Sequence, residues 1–66
     1  SGPHDYVFLD AILLALEQGT RTVDEAVEQC GELAKCGVLD WTHLYQKDEA
    51  LYEKVNEWCR THPPQL

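Results

Sequence analysis

Residues 6 to 16 read Tyr-Val-Phe-Leu-Asp-Ala-Ile-Leu-Leu-Ala-Leu, and only Asp10 interrupts the apolar run. On a helix, at about 100° per residue, Phe8, Leu9, Ile12, Leu13 and Leu16 share one broad face. Val7, Ala11 and Leu14 form a second stripe roughly opposite. A helix that is apolar all round is normally buried in a large protein or a membrane. A chain of 66 residues is hard pressed to surround any helix completely. Either the rest of the chain covers the second stripe, or a partner does.

The length allows one domain, which hides only about 60% of its unfolded surface and is correspondingly marginal. With 44% hydrophobic and 26% charged residues, the chain is too apolar for disorder. Twelve Asp and Glu against five Lys and Arg give a formal net charge of −7. That balance argues against nucleic acid and anionic membranes as partners, because both demand a basic face. It permits a basic peptide or protein. It is also a common route to solubility.

Three cysteines are an odd number for a disulfide framework. Their helical positions read as buried thiols in a reducing compartment, so cytoplasm or nucleus is expected. The apolar run lacks the basic leader and cleavage motif of a secretory signal. It is also shorter than the about 20 residues that cross a bilayer. Ser1-Gly2-Pro3 reads as a tag-cleavage remnant, which suggests a domain of a larger intracellular protein. The expected organisation is 1–3 remnant, 4–62 helical domain and 63–66 tail.

The first helix is expected from an N-cap at Asp5 to Glu17 or Gln18, with Gly19 as the left-handed stop. Thr22-Val23-Asp24-Glu25 is a capping box. After it, Val23, Ala26, Val27, Cys30, Leu33 and Ala34 recur with the 3.6-residue period of one buried face. Gly37 and Val38 have the pattern of a Schellman stop. Gly31 lies inside this helix at about 1 kcal/mol cost relative to Ala, which suggests a closely approaching neighbour. Asp40 to Tyr45 reads as a single helical turn placing Trp41, Leu44 and Tyr45 on one side as a lid. Asp48 caps a last helix with a stripe of Leu51, Tyr52, Val55, Trp58 and Cys59. Pro63-Pro64 ends it. The fold class is therefore all-α: a compact three-helix bundle with an additional short helical turn between the second and last helices.

Chemistry is sparse in this pattern. Cys30, Cys36, His43, Cys59 and His62 offer ligands for zinc, but structural sites prefer paired ligands two to four residues apart. Only Cys59 and His62 approach that spacing, and Cys30 and Cys36 point roughly 120° apart on a helix. A small zinc module is thus a minor alternative, and no metal ligand or cofactor is assigned. A Cys–His pair such as Cys59 with His43 lacks a cleft in so short a chain, and the glycines form no phosphate loop. No catalytic residue is assigned. A helix-turn-helix reading fails because the outward residues of the second helix are mainly glutamates, where a recognition helix carries Arg, Lys, Asn or Gln. In length and helix pattern the chain resembles ubiquitin-binding helical modules in outline. It lacks their Met-Gly-Phe/Tyr-type loop, so no residue is carried over.

What remains is surface. Glu25, Glu28 and Glu32 project together from the second helix, and Glu49, Glu53 and Glu57 from the last. Like charges at this spacing are mildly unfavourable, which suggests a basic ligand. The expected function is a non-catalytic protein–protein interaction domain. The expected partner surface is Val7, Asp10, Ala11 and Leu14 on the first helix with Glu25, Glu28 and Glu32 on the second. It would dock a helix or a basic peptide. Homodimerisation through the first helix is the alternative. Trp41, Tyr45 and Trp58 are expected to fill the core.

Overall fold

A computed structural model describes the backbone of residues 3–63 and the side chains of residues 7–63. It contains four helices: α1 (Pro3–Gln18), α2 (Val23–Lys35), α3 (Trp41–Lys47) and α4 (Glu49–Thr61). No strand occurs among the described residues. The all-α class expected from the periodicity is the observed one.

Local chemistry sets the boundaries. Pro3 opens α1, where its fixed φ suits a helix and its missing N–H costs nothing. The helix therefore begins before Asp5, which lies in its first turn and is not the N-cap. Ser1 and Gly2 of the supposed remnant lie outside the described residues. At the other end, Gly19 takes a φ of 76°. Its N–H donates to the Leu16 carbonyl at 3.1 Å, and the Thr20 N–H donates to Ala15 at 2.9 Å. This is a Schellman stop. Gly37 repeats it at the end of α2, with its own N–H on Ala34 and the Val38 N–H on Leu33, both at 3.0 Å.

The capping box at the start of α2 is complete. The Glu25 N–H donates to the Thr22 hydroxyl at 3.1 Å, and the Thr22 N–H donates to the Glu25 carboxylate at 2.9 Å. Asp40 accepts from the His43 N–H at 2.9 Å and opens α3. Asp48 accepts from the Leu51 N–H at 3.0 Å and opens α4. The segment read as a single turn is thus a seven-residue helix. It runs on through Gln46 and Lys47 until Asp48, extended at φ −158°, starts the next one.

The helices enclose a core of Leu9, Ile12, Ala26, Cys30, Leu44, Leu51 and Val55. The most extensive pairing is α2 with α4, and α1 packs chiefly on α2. Gly31 shows why the first pairing is close: a Cβ there would collide with the six-membered ring of Trp58. The missing side chain in α2 is the seat for the indole of α4. Lys35 lies 5.7 Å over that ring and His62 stacks on it at 4.0 Å, so Trp58 is clamped without being fully buried.

Several expected core residues are not core. Phe8 is 62% exposed, although the broad face of α1 includes it. The reason is angular: Leu9 and Leu16 define the inward direction, and Phe8 lies about 90° from it. Val23, at the first position of α2, is also exposed, and so is Tyr45. Trp41 and Trp58 are half-buried. The three thiols differ as well: Cys30 is buried, Cys59 half-buried and Cys36, the C-cap of α2, exposed.

Candidate docking surface

The outward side of α1 carries Val7 at 60%, Phe8 at 62% and Leu14 at 52% exposure, with Ala11 also exposed. The remaining helices do not cover the second stripe, and Phe8 joins it. Two grooves flank this ridge.

The first, of about 510 Å³, runs between α1 and α2. Phe8, Ala11 and Ile12 line it from α1; Glu28, Gln29, Glu32 and Leu33 line it from α2; Arg21 lines it from the connector. The chain brings these residues together because the short connector at Gly19–Thr22 folds α2 back along α1. The second groove, of about 780 Å³, lies on the other flank. Leu13, Leu14, Leu16 and Val23 form its apolar part, and Asp10, Glu17, Lys47 and Asp48 its rim.

Two of the three rim carboxylates of the second groove, Asp10 and Asp48, are engaged within the fold. Asp10 accepts from His43 Nε2 at 2.8 Å across 33 residues of sequence, tying α1 to α3. Asp48 caps α4. The carboxylates of Glu28 and Glu32, like that of Glu17 on the second groove, make no hydrogen bond or ion pair with any described residue. Both are exposed.

Of the residues expected to form the surface, Ala11, Glu28 and Glu32 therefore share one groove. Leu14 and Asp10 line the other, and Val7 stands exposed on the outward side of α1. Glu25 stands apart, engaged in the capping box. The Thr22 amide and hydroxyl hold its carboxyl below the ordinary value. Asp10 is half exposed, but its bond to His43 gives it a role within the fold. Sequence reasoning grouped Phe8 with the inward face of α1; it lies at that face's edge, about 90° from the Leu9–Leu16 direction, and is left exposed. The Asp10–His43 contact has no local sequence signal. On α4, Glu57 pairs with Arg60 at 2.9 Å, leaving Glu49 and Glu53 as the open part of that ridge.

The ligand types considered for zinc are dispersed. Cys30 is in the core, where burial pushes its thiol up to about 11. His43 bonds Asp10, and His62 stacks on Trp58. No three His, Cys, Asp or Glu side chains come together as a metal site among the described residues. No helix there is long and apolar enough to cross a membrane.

No family model, curated protein or solved structure matches the chain.

Proposed function

We propose that this chain is a non-catalytic protein–protein interaction domain that uses the outward face of α1 as its docking surface. The observation that carries the reading is the exposure of Val7, Phe8, Ala11 and Leu14 on one helix. Contiguous apolar surface of this kind on a small chain marks an interaction site more often than scattered single residues do. Burying one such large side chain stabilises a complex by about 1.5–3 kcal/mol before ordering costs. The grooves on either side give a partner relief to engage.

The test is affinity capture with wild-type protein and with Val7→Asp plus Leu14→Asp, both verified as folded by circular dichroism. Partners held by the wild type and lost from the folded variant support the reading. Identical capture by both, or a variant that unfolds, contradicts it.

Self-association through α1 is the second reading, supported by the same exposed stripe. A light-scattering mass that stays monomeric from low to high concentration removes it. Two copies would each bring a charge of −7 to the contact, which disfavours the pairing at low salt.

A further inference from the structure

We infer that the occupant of the α1/α2 groove is a basic amphipathic helix of a partner protein. This rests on the docking reading above and adds the chemistry and conformation of the ligand.

Three observations converge on that occupant. The groove wall is apolar at Phe8, Ala11, Ile12 and Leu33, so the partner must present apolar side chains. The carboxylates of Glu28 and Glu32 stand on its rim with no partner among the described residues and outnumber the one cation of the lining, Arg21; in the opposite groove Asp10 and Asp48 are engaged within the fold, Glu17 is not, and Lys47 is present. Unpaired charge beside an apolar groove selects a cationic partner by steering and by register.

The third observation is the backbone. Both walls are helices, whose main-chain groups are already bonded along their own axes. An extended peptide in this groove would find no strand edge to take its N–H and C=O groups, and desolvating them unpaired is costly. A helix satisfies its own backbone and offers only side chains. A second copy of this chain would set acidic surface against acidic surface, and its α1 carries Asp10 and Glu17 and no Lys or Arg.

The probe is a synthetic Leu/Ala/Lys peptide of about 16 residues with helical apolar spacing, long enough to hold a helix when bound. Two controls accompany it: the same peptide with every Lys replaced by Glu, and the Lys peptide with a central proline pair. Each is titrated into the isotopically labelled domain while backbone amide shifts are followed. The expected result is binding of the Lys peptide alone, with shifts centred on Phe8, Ala11 and Leu33. Glu28→Gln plus Glu32→Gln should weaken it roughly five- to tenfold, and added salt should do the same. Phe8→Asp should abolish it. All three substitutions sit on exposed positions, and amide dispersion verifies that each variant is folded.

Equal binding of the Glu peptide, or an unchanged affinity in the double Gln variant while Phe8→Asp still abolishes binding, overturns the basic partner and leaves the α1 docking face standing. Equal binding of the proline-interrupted peptide overturns the helical occupant. Shifts centred on Glu49 and Glu53, or binding indifferent to Phe8→Asp, overturn both this inference and the docking reading. Failure of the Lys peptide to bind at millimolar concentration overturns the inference.

Discussion

The inward and outward faces of α1 are made of the same kinds of residue and have opposite fates. Leu9 and Ile12 are 1% and 6% exposed, whereas Val7 and Phe8 are 60% and 62% exposed. Nothing in residue type separates Leu9 from Leu14. What separates them is the number of neighbours a four-helix chain can supply. The inward face inserts among Ala26, Cys30, Leu44, Leu51 and Val55, and no element is left to cover the outward one. The helices α2 and α4 have no such conflict, because their outward sides carry Glu28, Glu32, Glu49 and Glu53. Among the described residues, α1 carries three exposed large apolar side chains, Val7, Phe8 and Leu14, where α2 has Val23 and α3 has Tyr45. A net charge of −7 opposes the approach of two such faces at low salt.

The comparison breaks if the two faces respond alike to truncation. Leu9→Ala should cost about 2–5 kcal/mol, because the fully buried side chain leaves a cavity that the neighbours only partly fill. Leu14→Ala should change stability by less than about 0.5 kcal/mol, as is usual for surface positions. Urea midpoints of the two variants give the contrast directly. Equal losses would mean that both faces belong to the core.

The α2/α4 contact should be nearly as sensitive. A methyl at Gly31 meets the Trp58 ring, so Gly31→Ala should lose about 1–3 kcal/mol to overpacking. The better helix propensity of Ala, about 1 kcal/mol, offsets part of that. A thermal melt that moves upward would show that the indole shifts aside freely. Trp58 fluorescence should change in the same variant, since its seat is altered.

The smallest effect belongs to the engaged carboxylate at the start of α2. Glu25 is held below its ordinary value of 4.5 by the Thr22 amide and hydroxyl. Its stabilising contribution is complete above that value and is lost as pH falls through the lowered one. Glu25→Gln should therefore flatten the acid limb of a stability–pH curve. An acid limb unchanged from the wild type would mean that the Thr22–Glu25 box contributes nothing through the Glu25 charge.

Much of this architecture was legible because short-range chemistry determines it. The Thr22–Glu25 box, the Asp40 and Asp48 caps and the two glycine stops each depend on residues within about one turn of one another. Gly31 was legible as a close approach, although the sequence did not name Trp58 as the neighbour. Other features depend on where a distant element lands. Asp10 meets His43 across 33 residues, and no periodicity encodes that meeting. The length of α3 was underestimated because Gln46 and Lys47 carry no apolar signal, yet nothing stops the helix before Asp48. For the candidate surface, the sequence identified Ala11, Glu28 and Glu32 but not the groove that joins them. Phe8 was misassigned because a broad apolar face has edges, and only packing decides which edge is covered.

The most direct test is the urea midpoint of the Val7→Asp plus Leu14→Asp variant beside the wild type. If the outward face of α1 is free surface, the midpoint stays within the equivalent of about 1 kcal/mol of the wild type. A loss of several kcal/mol, as expected when charge is forced into a packed interior, would place those residues in the core and remove the docking surface.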